Sequence, residues 1–329
     1  MRTALYSRTG PAREVLSIVE RPQPQPAPGE VRVRVAWSGV NPSDVKSRAG
    51  TRSATLPFVE IVPHSDGAGV IDAVGEGVPE ERLGERVWLW NAAWSRAHGT
   101  ASEWIALPAA QAVRLPDEVP LEAGASLGIP ALTALHALTV DGGVRDRRVL
   151  VAGGAGAVGH YAVQMARLLG ARQVIASVSS PEKSALALAA GADLAIDYRR
   201  ENLVERLDQA TGGAGVDRVV EVDFAANATQ DFALVAPEGR IVVYGSGAPE
   251  IAVPFVPAIL RNVRVIFFIV YHLSPQDRAE ATRQLTSWLE SGSLQHNIAL
   301  RLPLAQIAEA HEAVESGHVI GNVVLDVAG

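Results

Sequence analysis

One six-residue segment limits the fold more than any other part of the chain: Gly154-Ala155-Gly156-Ala157-Val158-Gly159. It follows the apolar run Val149-Leu150-Val151 and opens a stretch in which Val158, Val163, Met165, Ala166 and Leu169 supply an apolar helix face, before a second apolar run begins at Gln173. In a chain with 30 glycines the pattern alone is weak. Set between a strand and a helix, it specifies the first βαβ unit of a dinucleotide-binding sheet. In that reading Gly154 takes the tight turn, Gly156 lets the backbone approach a pyrophosphate, and Gly159 lets the helix pack close to the sheet. The helix N-terminus, with free N–H groups and the positive end of its dipole, meets the negative charge.

The same unit addresses the choice of cofactor. A chain that selects NADH places Asp or Glu about 20 residues on, where it grips the ribose 2′-hydroxyl. Here that stretch reads Ser177-Val178-Ser179-Ser180, with Lys183 in the following turn. No acid there repels a 2′-phosphate, the serines can donate hydrogen bonds and Lys183 supplies charge, so the pattern favours NADPH.

The remainder of the chain sets the frame. Its 329 residues exceed what one core usually organises, so two domains are expected. Apolar residues make up 48% and charged residues 20%, the profile of a compact folded protein. A net charge of -7, with basic residues scattered among more numerous acids, speaks against nucleic-acid partners. Cysteine is absent, which removes disulfides, thiolate nucleophiles and thiolate-bound metals together. The segment Met1 to Arg8 has no unbroken apolar stretch, and no later run reaches the roughly 20 apolar residues that span a bilayer. A cytoplasmic protein without membrane contact is expected.

Residues 1 to about 122 read as short strands and turns, with Val31, Val33 and Val35 alternating with Arg32 and Arg34. The stretch Pro22 to Gly29 reads as a stiff surface connector. Gly67 to Val74 and Arg86 to Trp90 suit further strands of an antiparallel, barrel-like domain. From Leu121 to Val140 the spacing turns helical, and from 123 to 271 strand and helix signals alternate. Helices are expected over 158–169, 181–190, 201–210 and 227–236, between strands at Arg148 to Val151, Gln173 to Val178, Leu194 to Ile196, Val216 to Val222 and Arg240 to Tyr244. The alternation predicts a doubly wound parallel sheet, making the chain α/β with a second, mainly antiparallel domain. Val263 to Tyr271 is apolar for its length; as a sheet-edge strand it needs covering, and pairing with a second copy in a homodimer is one solution. Helices over 276–290 and 304–316 and a strand from Val323 to Val327 return to the first domain.

Several stretches taken in order carry a resemblance: Gly39-Val40-Asn41-Pro42-Ser43-Asp44, Ser65-Asp66-Gly67-Ala68-Gly69-Val70, Gly84-Glu85-Arg86-Val87, Gly128-Ile129-Pro130-Ala131-Leu132-Thr133-Ala134, the glycine turn, and Gly239-Arg240-Ile241-Val242-Val243-Tyr244-Gly245. Across essentially its whole length the chain resembles the zinc-independent medium-chain dehydrogenase/reductases, and among them the zeta-crystallin-like quinone oxidoreductases. The resemblance implies a GroES-like domain over 1–122, completed by about 272–329, and a Rossmann domain over 123–271, with the reaction in a cleft between them. Zinc-dependent relatives place a Cys ligand where this chain has Asn41, a His-Glu pair where it has Ser65-Asp66, and a four-Cys structural lobe that is missing here, so neither catalytic nor structural zinc is expected. His64, one residue earlier, reads as a lone loop or cleft histidine.

The resemblance further implies that Asn41 and Thr133 approach the nicotinamide and substrate, and that Ala155, Gly156, Ala157 and Val158 lie along the pyrophosphate. Ser179, Lys183 and Tyr198 would surround the 2′-phosphate; Asn227, Tyr244, Gly245, Ser246, Gly247, Phe267, Phe268 and Ile269 would complete the cofactor cleft. Where several quinone reductases carry a Tyr over the substrate, this chain has Lys46, a cation able to stabilise a developing oxyanion. The expected activity is NADPH-dependent reduction of a quinone. The alternatives are a 2-alkenal or enone reductase of the same superfamily and, in another class, an NADPH-binding crystallin-like protein with little turnover.

Overall fold

The computed structural model describes residues 1–51 and 53–329. The chain divides into two compact units, Met1–Pro130 with Thr282–Gly329, and Ala131–Ala281. The second boundary falls inside the helix Pro275–Glu290.

The first unit is built on a seven-stranded sheet. Its centre is the long strand Glu30–Val40, which pairs antiparallel with Asp66–Val74, Trp104–Pro108 and Asn322–Asp326. The alternation read from the sequence holds: Val31, Val33 and Val35 are buried, whereas Arg34 is exposed. These valines share a core with Val87, Leu89, Ile105 and Leu107 and with Val323 and Leu325 from the other end of the chain. The late segment Thr282–Gly329 belongs to this unit. The strand Ile298–Pro303 runs parallel to Asn322–Asp326, and the helix Ile307–Ser316 links them.

The second unit carries six parallel strands, ordered Leu194–Asp197, Gln173–Val178, Arg148–Ala152, Val216–Glu221, Val235–Val243 and Arg264–Phe267. Counted from Arg148–Ala152, the order is 3-2-1-4-5-6, which puts the reversal of strand order beside the glycine turn. Strand residues Leu150, Ile175, Val219 and Ile241 share a core with the helix residues Phe224 and Phe232. The expected alternation of strand and helix is present throughout, so the chain is α/β with a second, mainly antiparallel unit.

Three boundaries differ from the sequence reading. The helix expected over 227–236 spans Phe224–Leu234, because Phe224 N donates to Gly245 O and starts it early, while Val235 and Ala236 already belong to the next strand. The strand expected over Val263 to Tyr271 is only Arg264–Phe267. Its ladder with Val235–Val243 closes at Val243 and Phe267; Phe268 N then reaches Val243 O at 3.1 Å, the next backbone, Tyr244 and Gly245, bonds to Glu221 and Phe224 instead, and a 3₁₀ turn follows at Val270–His272. The helical stretch from Leu121 to Val140 is broken into Leu121–Gly124, a π turn over Leu127–Ala131 containing Pro130, and Leu132–Thr139.

Candidate active site

In the second unit the glycine turn joins the strand Arg148–Ala152 to the helix Ala157–Leu168, whose N-cap is Gly156. The glycine roles are shifted from those read in the sequence. Left-handed backbone falls on Gly153, at φ 67°, and not on Gly154. Gly154 instead lies against the second strand: a Cβ there would come within 2.5 Å of the Ala176 Cβ. Gly159 serves packing as expected, since its Cβ would lie 2.1 Å from Gly153 O. Gly156 is comparatively open, with Gly153 O at 3.3 Å the nearest contact for an added Cβ. Ala155, Ala157 and Val158 follow the same backbone path into the helix, so free N–H groups gather at one helix end.

At the end of the second strand Ser179 and Lys183, two of the three residues read as a 2′-phosphate pocket, meet. Lys183 Nζ donates to Ser179 Oγ at 2.9 Å, and Ser180 Oγ caps the helix Pro181–Ala189 by accepting Lys183 N at 3.2 Å. Tyr198 follows the third strand; its N–H reaches Val178 O at 3.1 Å and its ring is half exposed. Tyr198 and Asn227 line a cavity of about 580 Å³ together with Gly153, Ser177, Glu221 and Asp223.

Sequence reasoning passed over the group that organises the far side of this cavity. Glu221 closes its strand fully buried. One of its oxygens, Oε1, accepts both Asp223 N and Asn227 Nδ2, the latter at 3.0 Å. Asp223 Oδ1 in turn accepts Gly247 N at 2.7 Å, and Glu221 O accepts Tyr244 N at 3.1 Å. Asn227, Tyr244 and Gly247 are thus tied to one carboxylate and its neighbour; Gly245 and Ser246 lie within the same loop. Glu221 Oε2 and Asp231 Oδ2 are buried without a hydrogen-bond partner, and burial raises both carboxyls. Burial, reinforced by Glu221, pushes the Asp231 carboxyl up to about 9. Burial first and Glu221 second also raise Tyr244 above the ordinary phenol range. A single acid ending the apolar run Val219-Val220 was the available signal.

Phe267 is exposed and packs edge-on against Phe224, while Phe268 lies 4.7 Å from the His136 ring; Ile269 is half-buried beyond them. Thr133 is buried on the helix Leu132–Thr139.

In the first unit Asn41 is buried at the N-cap of the helix Pro42–Ala49. Its backbone N–H donates to Asp44 Oδ2 at 2.9 Å and its side-chain Nδ2 donates to Asp66 Oδ2 at 3.0 Å. Lys46, one turn further on, is exposed. His64 is not the lone histidine its sequence setting suggests. It is fully buried with left-handed backbone, its Nδ1 lies 2.8 Å from Ser38 Oγ, and its Nε2 lies 2.9 Å from Nε2 of His311. His311 lies 247 positions away, beyond the reach of local reading. Burial lowers both imidazoles, His311 to about 3, so the pair is neutral. Among the described residues no group of three or more His, Cys, Asp or Glu is placed to hold a metal ion, and no helix is long and apolar enough to cross a membrane.

A dinucleotide-type parallel sheet joined to a mainly antiparallel unit of this kind defines a two-domain oxidoreductase. Residues 27–117 match the family model described as alcohol dehydrogenase GroES-like domain, and residues 157–289 match that described as zinc-binding dehydrogenase. The chain is 30% identical to the quinone oxidoreductase of Homo sapiens over 290 residues, covering 88% of this chain and 86% of that one. The crystal structure of Escherichia coli quinone oxidoreductase complexed with NADPH superposes with a TM-score of 0.87 at 28% identity, covering 99% of this chain and 100% of that one. A structure described as an NAD-dependent alcohol dehydrogenase superposes with a TM-score of 0.91 at 30% identity over the full length of both. The chain belongs to the zinc-independent medium-chain dehydrogenase/reductase family, in its quinone oxidoreductase branch.

Proposed function

We propose that this protein reduces quinones, or closely related electron-poor carbonyls, with NADPH. The carrying observation is the Lys183–Ser179 contact at the end of the second strand, where a cation and a hydroxyl stand in place of an acid. The turn fits the cofactor: a Cβ at Gly156 would meet nothing closer than Gly153 O, which leaves room for a diphosphate at the N-terminus of a twelve-residue helix, while Gly154 and Gly159, where a Cβ would strike Ala176 or Gly153 O, keep the helix start packed against the strand. When bound, NADPH supplies the reducing equivalents. Ala155 to Val158 then hold the diphosphate; Ser179, Lys183 and Tyr198 hold the 2′-phosphate; and the loop organised by Glu221, with Asn227 and Tyr244 to Gly247, fixes the cofactor against the sheet. Phe267, Phe268 and Ile269 supply the apolar wall that excludes water.

Without a zinc ligand set, the acceptor's carbonyl oxygen needs hydrogen-bond donors, and we assign Asn41 to this role, with Lys46 adding positive charge and Thr133 lining the nicotinamide side. We further propose a homodimer through the edge strand Arg264–Phe267. Phe255, Val256, Ile259 and Leu260 of the preceding helix Phe255–Leu260 are exposed, as is Phe267 on the strand itself, and exposed apolar side chains at a sheet edge suit burial against a second copy. Leu260→Lys should convert the dimer to monomer in sedimentation velocity; an unchanged mass would remove that interface.

The activity is tested by steady-state oxidation of NADPH and NADH against a panel of quinones and conjugated enones. Quinone reduction with a preference for NADPH is expected. Faster turnover of enones would reassign the acceptor, and equal efficiency with both cofactors would remove the 2′-phosphate argument. Asn41→Ala should lower kcat by about 100-fold, the usual effect of losing one oxyanion donor, while leaving the NADPH Kd unchanged.

A further inference from the structure

Asp66 is fully buried at the start of the strand Asp66–Val74, opposite Gly39 in the antiparallel ladder with Glu30–Val40. That register places Asn41, two residues after Gly39, beside the Asp66 carboxyl. One carboxyl oxygen, Oδ2, accepts from Asn41 Nδ2 and from Ile129 N, each at 3.0 Å. The other, Oδ1, is buried without a donor and is pressed against Gly128, where an added Cβ would lie 2.3 Å from it and 2.6 Å from Leu89 O. Thr100 Oγ1 donates to the Asp66 main-chain carbonyl and holds the residue from behind. The carboxyl therefore has one working oxygen, fixed by main chain on one side and directed at Asn41 on the other.

We propose that Asp66 is a positioning residue for the reduction: by accepting one Asn41 side-chain N–H it locks that amide in a single flip and leaves the second N–H for the acceptor's carbonyl oxygen. A primary amide can turn over at little cost and present its carbonyl instead, which would repel a developing oxyanion. The capping box turns the Asn41 side-chain oxygen toward the Asp44 N–H, and Asp66 holds the same flip from the nitrogen side by accepting Nδ2. The inference rests on the assignment of Asn41 as donor to the acceptor.

The test uses the full-length protein, with NADPH and the best quinone of the panel. Asp66→Ala should lower kcat by about 10-fold or more, with the NADPH Kd, followed by fluorescence titration, held within about twofold, as expected when a donor loses its orientation. Asp66→Asn keeps one oxygen for Asn41 and Ile129 and puts an amide N–H beside Leu89 O; it should retain kcat near that of the unaltered chain. In a double-mutant cycle, Asn41→Ala with Asp66→Ala should be no slower than Asn41→Ala alone. Additive losses in the cycle, or an unaffected kcat in Asp66→Ala, would overturn the proposal. If Asp66→Ala does not fold, Asp66→Ser, whose hydroxyl is too short to reach Asn41, takes its place and carries the same two outcomes. An Asn41→Ala protein with full activity would instead refute the assignment on which the proposal rests, while the NADPH preference would still stand.

Discussion

The two units build their chemistry over different distances in the chain. In the second unit the candidate groups at the cofactor turn cluster where a parallel strand ends and the next helix begins. Lys183 bonds Ser179 four residues back, and Asn227 bonds Glu221 six residues back. In the first unit the contacts are long. Asn41 meets Asp66 across 25 positions, Asp66 meets Ile129 across 63, and His64 meets His311 across 247. A parallel sheet with helical crossovers collects its strand ends along one edge, so local motifs suffice to mark a site. An antiparallel unit makes its site from side chains that only register brings together, and hence buries polar groups that local sequence leaves unexplained.

The sharpest way to break this contrast is at the turn. Gly159→Val places side-chain atoms where Gly153 O already stands, and the cost of overpacking, about 1–3 kcal/mol or more, should fall on the second unit and abolish NADPH binding. The measurement is an unfolding curve paired with a cofactor titration. A smaller effect is expected from Lys183→Ala, which should reduce the ratio of NADPH to NADH affinity by about 10-fold, the contribution of one charge-assisted contact, with NADH binding unchanged. Loss of both affinities in parallel would show Lys183 to act on the fold and not on the 2′-phosphate.

The finest comparison lies in pH. Asp231 is raised from 3.8 to about 9 in the folded protein, so its contribution to stability is full below the unfolded value and is lost as pH rises towards 9. His311 is lowered from 6.5 to about 3, so its contribution is full above 6.5 and is lost as pH falls towards 3. Asp231→Asn should flatten the alkaline side of the stability profile, and His311→Phe the acid side. Each is read as the difference from the unaltered protein, because Asp66, raised by burial, carries the sign of Asp231 within the unit that holds His311. Urea unfolding across pH 4 to 9 supplies both profiles, and a variant that shifts the whole curve without changing its slope would remove the assigned titration.

Periodicity and turn chemistry in the sequence determined the parallel sheet, the alternating valines of the first unit, and the glycine turn with its downstream serines and lysine. These are features whose physical cause lies within a few residues: a strand needs its apolar face, and a helix start needs its free N–H groups. Tertiary structure alone decided that Gly153 takes the left-handed backbone while Gly154 meets Ala176 from the adjacent strand. It also ended the edge strand at Phe267, where the partner's next backbone bonds to Glu221 and Phe224 instead, and gave His64 a partner in His311. Burial made the carboxyls of Asp66, Glu221 and Asp231 organising groups, because an acid removed from water must find donors or hold a proton, and those partners come from register and packing, which no local pattern encodes.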